Sequence, residues 1–332
     1  MTSLRMTEVA FRNSPNKTSD KMKTKIILFL AFLIVFGIGS FFIYKGYRDH
    51  RRQIVMDKIL SEKKEKAWLS LRKTLEDRIE HFNGIVCVVI EDLGSLRQIR
   101  FNEDIPIPSA SLVKVPILLS CFYAAQDKKI QLEDVVNIRP SDRVAGSKVL
   151  GNRSAGCKFT IKELFEPMIT ESDNTAANAL IDCLGFDVLN SYFKKIGLRN
   201  TNILRKMMDF EERKEGRENY TTARDMAYLM RRLYCKDFLN KGVSTQCLKL
   251  LEQQKINDRI PKRLPKDGMR IAHKTGLEKH ICHDVGIVFS PNGDFLICVL
   301  IKHKDKTAVS AKKLISDIAL LTYNYYNLHF KM

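Results

Sequence analysis

None of the eight cysteines stands in a C-x-x-C pair, and the seven histidines include no H-E-x-x-H. Those absences remove the commonest zinc spacings. His280 and His283 come close together, but the other histidines are scattered, and this segment reads as a variable loop. No metal and no other cofactor is expected. A G-x-S-x-G elbow, a Walker loop and a dinucleotide fingerprint are missing too, which excludes several large enzyme classes. The chain has 56 Lys and Arg against only 38 Asp and Glu, a net charge of +18. It carries no zinc-finger, helix-turn-helix or RNP-type motif, so that excess does not read as a nucleic-acid surface. Anionic lipid and an anionic cell-wall polymer are the partners left for it. No internal repeat is present.

What is present begins with one long apolar run. Ile26 to Tyr44 contains no charged residue, and 19 residues at about 1.5 Å each span roughly 28 Å, the thickness of a bilayer core. Gly37-Ile-Gly-Ser40 offers small residues for a signal cleavage site, but bulky Phe41-Phe-Ile-Tyr44 prolongs the run. An uncleaved anchor follows. Basic residues flank the span on both sides, with a marginal preference for an internal N-terminus. Residues 1–25 read as a basic cytoplasmic tail, 26–44 as a transmembrane anchor, 45–66 as a charged helical stalk and 67–332 as the globular domain. The expected location is the cell membrane, single-pass, with the domain outside the cytoplasm.

Within the domain, Trp68, Leu71, Leu75 and Ile79 recur at helical spacing. Gly84–Ile90 is a short apolar run of strand length, followed by a turn at Asp92–Ser95 and a second strand near Leu96–Phe101. From Leu112 to about Asn240 helical patterns dominate. Two strands then flank Ser290-Pro-Asn-Gly293, a hairpin signal, and an amphipathic helix runs from about Val309 to Tyr325. The fold class is therefore α+β: an antiparallel sheet built from both ends of the domain, flanked by N- and C-terminal helices, with an all-helical lobe inserted. Cys87 and Cys298 fall in strand-like runs, and Cys121 and Cys183 in helix-like ones. They read as small buried hydrophobes.

Three motifs carry chemistry: Ser111-Leu-Val-Lys114, Ser172-Asp-Asn174 and Lys274-Thr-Gly276. S-x-x-K also begins at Ser14, Ser61, Ser70, Ser191 and Ser310, but only Ser111 follows the strand hairpin at a Pro-marked helix start, ahead of S-D-N. A serine hydroxyl needs a base to become a nucleophile. On a helix, positions i and i+3 share a face, so Lys114 can reach Ser111. An amine is a base near neutrality only if burial and a nearby cation, here Lys274, depress its pKa.

Together these motifs resemble the class A β-lactamase-like serine hydrolase domain of the penicillin-recognising family. Pro108-Ser-Ala-Ser-Leu-Val-Lys-Val-Pro116, Ser172-Asp-Asn-Thr-Ala-Ala-Asn178, Ala272-His-Lys-Thr-Gly276, Tyr220-Thr-Thr-Ala-Arg-Asp-Met226 and Asp284-Val-Gly-Ile-Val288 all have that family's appearance. The resemblance implies that Ser111 attacks the acyl carbonyl with Lys114 as base, and that Ser172 relays a proton to the departing nitrogen. It also implies that Asn174 holds the substrate's amide and that Lys274 and Thr275 of the Lys-Thr-Gly276 strand bind its carboxylate. The Ser111 and Leu277 N–H groups would form the oxyanion hole. The implied substrates are β-lactams or D-alanyl peptides of the cell wall. One departure stands out: the family's water-activating glutamate should fall near Lys206-Met-Met-Asp209, and none is there. Asp209 and Glu211 are the nearest carboxylates that could serve as a deacylating base. Without one, an acyl-enzyme should be long-lived, whether the protein is a slow β-lactamase, a D-alanyl-D-alanine peptidase or a non-turnover sensor.

Overall fold

The computed structural model describes residues 17–154 and 156–328. The chain divides into two compact units, Met1–Glu65 and Lys66–Met332, and helix α1 (Lys17–Glu80) contributes to both. In the first unit the apolar stretch is the one segment among the described residues long and apolar enough to cross a membrane. Its mean hydropathy reaches 2.9 over 18 residues, none of them buried in protein. The helix starts at Lys17, inside the segment expected as tail, and does not break at the expected stalk boundary. No proline occurs between Pro15 and Pro106 to stop it. Residues 1–16 of the tail lie outside the described residues.

The second unit is built on a five-stranded sheet, formed from β1 (Gly84–Asp92), β2 (Gln98–Phe101), β7 (Arg270–Glu278), β8 (Ile281–Phe289) and β9 (Phe295–His303) in the order β2-β1-β9-β8-β7. All neighbours are antiparallel. The strands alternate between two cores. Cys87, Val89, Val285, Ile287 and Leu300 face the helical lobe. Val88, Ile90, Val288, Val299 and Ile301 face Trp68, Leu71 and Leu75 of α1 and Leu314, Ile315 and Ile318 of α9 (Val309–Asn327). Because both faces are covered, these strands read as unbroken apolar runs rather than as alternating ones.

Between β2 and β7 lie two short pairings, β3 (Ile107–Pro108) with β6 (Tyr220–Thr221) and β4 (Val135–Ile138) with β5 (Cys157–Thr160). The same insert holds α2 (Lys114–Gln126), α3 (Ile161–Thr170), α4 (Asn174–Leu184), α5 (Phe186–Ile196), α6 (Phe210–Lys214), α7 (Ala223–Cys235) and α8 (Lys241–Glu252). Sheet, helical insert, sheet is the order expected from sequence. The eight cysteines are free thiols. The expected loop at His280–His283 is instead a tight hairpin, with His283 already inside β8 and fully buried.

Candidate active site

Ser111 lies in a 3-10 turn, Ala110–Val113, that leads straight into α2. The turn is entered through Ala110, whose φ of 44° is a left-handed conformation costly for a residue with a Cβ. Two contacts hold the entry. Ser109 N–H donates to the Asn219 carbonyl at 2.7 Å. His283 Nε2 donates to the Pro108 carbonyl at 2.9 Å, while its Nδ1 accepts from the Ile301 N–H. Burial holds the His283 pKa down to about 4, so the ring keeps this neutral tautomer. On the other side stands β7, an edge strand. A Cβ on Gly276 would sit 3.4 Å from the Ala110 Cβ and 3.2 Å from the His283 ring, so glycine lets this strand close on the turn. Leu277 follows, half-exposed at the strand edge.

Lys114, on the first turn of α2, is fully buried. Its Nζ donates to the Ser172 carbonyl (2.6 Å), Ser172 Oγ (3.2 Å) and Asn174 Oδ1 (2.7 Å). Lys274, equally buried on β7, donates to Ser172 Oγ and to the Thr275 carbonyl, both at 3.0 Å. One hydroxyl therefore accepts from two ammonium groups. Burial above all, and then the charge of Lys274, hold the Lys114 pKa well below its ordinary value against the pull of Asp173. Lys274 is lowered to about 7, by burial and by the Arg259 guanidinium, with Asp284 opposing. Two cations cannot share this dry site comfortably, and one amine is readily neutral. With both lone pairs of Ser172 Oγ engaged, its own proton is left to point outward.

The expected side-chain bond between Ser111 and Lys114 is not made. The Lys114 amine lies instead against Ser172 and Asn174, which are brought in from the S-D-N turn and hold it. Among the described residues the Ser111 hydroxyl has no protein partner. The Ser111 carbonyl, not its hydroxyl, accepts from the Lys114 N–H.

Ser172 also has positive φ, 58°. Asp173 caps α4 by accepting from the Ala176 N–H, and its other oxygen accepts from the N–H groups of Val149 and Leu150 at 3.0 Å each. Asn174 Nδ2 donates to the Ala145 carbonyl. Gly146, with φ +78°, would place a Cβ only 2.6 Å from that nitrogen. Ser172-Asp-Asn174 is thus both a helix cap and part of the cluster.

The two carboxylates weighed as a deacylating base are engaged within their own loop. Glu211 has its side chain 81% exposed and paired with Lys214 at 2.8 Å. Asp209 caps α6 by accepting from the Glu212 N–H. Among the described residues neither hydrogen-bonds to Ser111, Lys114, Ser172 or Lys274. What occupies this part of the loop is Met207, buried and clamped by Asn178, which donates to its carbonyl (3.1 Å) and accepts from its N–H (2.7 Å). Asn178 is one turn along α4 from Asn174, on the same face. The loop from 205 to 218 is closed by a buried ion network: Arg205 meets Glu218 (2.7 Å) and Glu278 (3.3 Å), and Arg213 meets both carboxylates.

Sequence reasoning missed the positioning roles of Asn178, Arg205, Glu278, Arg259 and His283. Only the S-D-N-x-x-x-N spacing carried a usable signal, because the network partners are distant in sequence and become neighbours only through the fold.

The domain has known relatives in sequence and fold. A sequence model of the beta-lactamase enzyme family matches residues 70–326. Beta-lactamase VEB-1 of Pseudomonas aeruginosa is 25% identical over 273 residues, 77% of this chain and 90% of that protein. A beta-lactamase from Sphaerobacter thermophilus superposes with a TM-score of 0.71 at 28% identity, covering 78% of this chain and 98% of its own. A point mutant of PBP-A, solved as an acyl-enzyme complex with penicillin-G, superposes with a TM-score of 0.71 at 27% identity, over 78% of this chain and 97% of that one.

Proposed function

Because the chain belongs to the beta-lactamase enzyme family and is a serine hydrolase, we propose that it forms an acyl-enzyme at Ser111 from β-lactams and releases the acyl group slowly. The observation that carries this reading is the pair of buried lysines on one serine hydroxyl, with Ser111 unengaged on the turn that leads into the helix of Lys114. Neutral Lys114 takes the Ser111 proton, directly or through Ser172, as the hydroxyl attacks the lactam carbonyl. The lactam C–N bond breaks, the proton of Ser172 passes to the leaving nitrogen, and Lys114 hands the proton it took to Ser172 Oγ. Lys274 and Thr275 face the substrate carboxylate, an arrangement suited to charge-assisted hydrogen bonds. Asn174 holds the side-chain amide, and the N–H groups of Ser111 and Leu277 receive the oxyanion.

Slow release rests on Met207, which cannot activate water. The same observation favours a second reading, a D-alanyl-D-alanine peptidase of the wall, in which β-lactams act as slowly released substrate mimics. Intact-mass spectrometry after mixing with penicillin G tests both. A penicilloyl adduct on the peptide containing Ser111 that persists for hours is expected. Clearance within seconds would sink the slow-release reading, and no adduct at all would sink the proposal.

The lysines also set a pH profile. Lys114 acts only when neutral, so acylation rises with pH through its depressed pKa. Lys274 acts only when charged, so acylation falls above about 7, where it loses its proton. A bell-shaped kcat/KM for acylation is expected. Lys274→Arg, whose charge persists at all such pH values, should lose the alkaline limb whatever its absolute rate.

We also place residues 26–44 in the membrane with the domain outside, where these substrates are found. Protease added to intact cells should degrade the domain, and survival of the domain would overturn this topology.

A further inference from the structure

At the edge of the sheet opposite β7, between β2, β1, α7 and the end of α5, lies a cleft of about 760 Å³. Five cations line it, Arg100, Lys194, Arg199, Arg224 and Arg231, against two acids, Glu91 and Asp225. Asp225 is internally committed, and Glu91 is engaged through one of its oxygens. Asp225 accepts from the Asn200 N–H (2.7 Å) and the Thr201 hydroxyl (2.8 Å). Glu91 is buried and accepts from Gln98 Nε2 at 2.5 Å. The cations are less so. Arg224 is held by Glu103 and Asp104, but Arg231 reaches Glu91 only at 3.8 Å and Arg100 reaches Glu103 only at 3.8 Å. Exposed Lys194 and Arg199 have no partner among the described residues. A surface that only needed solubility would not gather unpaired like charges around one concavity, where they repel one another.

We propose that this cleft binds a phosphodiester polymer, the chemistry of an anionic cell-wall chain. Successive phosphates would meet the guanidinium forks of Arg199, Arg231 and Arg100 with Lys194 as a point charge. The carbons between phosphates would lie over Leu198 and Ala227, which supply an apolar floor. Such binding would hold the domain against the wall without occupying the cluster at Ser111, so it does not depend on the proposed reaction.

The test uses the full chain in detergent micelles and a fluorescent poly(glycerol phosphate), read by anisotropy at low and raised salt. Wild type should bind, more weakly as salt screens the contacts. Lys194→Glu with Arg199→Glu should weaken binding about tenfold or more, the scale of losing two charge-assisted bonds. Lys162→Glu with Lys249→Glu, the same charge change elsewhere on the surface, should leave binding within about twofold, the scale expected for screened surface charges. Equal loss in both pairs would make net charge responsible and overturn the site. So would poly-glutamate competing as well as the phosphate polymer, or unchanged binding in the cleft variant. Circular dichroism and a melting curve, taken on every variant, report that the domain has folded.

Discussion

Lys114→Met should slow acylation of Ser111 by about 10²–10⁴-fold, the usual contribution of a positioned general base. Methionine matches the unbranched stem of lysine and suits a buried site, so the side chain can be replaced without a large cavity. What disappears is the amine that bonds Ser172 and Asn174. The loss should fall on the rate at saturating penicillin rather than on apparent affinity, because the carboxylate partner Lys274 remains. The same substitution has a signature in stability. The folded-state pKa of Lys114 is depressed, so between that value and the unfolded value of about 10.4 the unfolded chain binds the extra proton. Stability of the wild type therefore rises with pH across this window. The methionine variant should melt with a shallower pH dependence. Stopped-flow acylation and melting curves at two pH values check both halves. A variant that folds and still acylates within a few-fold of wild type would remove Lys114 from the proton transfer.

Much of this site was legible in the sequence because its chemistry is written in short motifs. Ser111 and Lys114 sit three apart, and Ser172-Asp-Asn174 and Lys274-Thr-Gly276 are contiguous, so each brings its own local geometry. The strands of β1, β8 and β9 were legible for a different reason: both faces of the sheet are covered, and continuous apolar runs survive averaging over any window. β7 was less so, since His273, Lys274 and Thr275 are polar residues that are nonetheless buried. The partner of the Lys114 amine could not be read. Helical spacing pointed to Ser111, whereas the approach of Ser172 from a distant loop decides the matter. The ion network of Arg205, Glu218 and Glu278 was equally hidden. Each member alone looks like an ordinary surface charge, and burial of all three becomes tolerable only once they meet. The missing glutamate was visible as an absence over Lys206–Asp209. Only the Asn178 clamp singles out Met207 within that window.

That clamp makes Met207→Glu the substitution with the largest expected gain. Asn178 holds the backbone of residue 207 by both its N–H and its carbonyl, so exchanging the side chain leaves the loop position fixed. Glutamate is close to methionine in length. Asn178 stands on the face of α4 that also presents Asn174, whose Oδ1 contacts Lys114. Burial would raise the new carboxyl's pKa. A carboxylate so placed is a general base for water attacking the ester at Ser111, and the lifetime of the penicilloyl adduct should shorten about 10²-fold or more. Formation of the adduct should change little, since Lys114 and Ser172 are untouched. Some thermal stability should be lost, because a charge replaces a buried apolar group. Glu211→Gln serves as the control: with its carboxylate exposed and paired to Lys214, adduct lifetime should not move. If Glu211→Gln instead prolonged the adduct and Met207→Glu left it unchanged in a folded protein, water would be activated from the charged loop. The assignment of residue 207 as the vacant base position would then fail, while acylation at Ser111 would still stand.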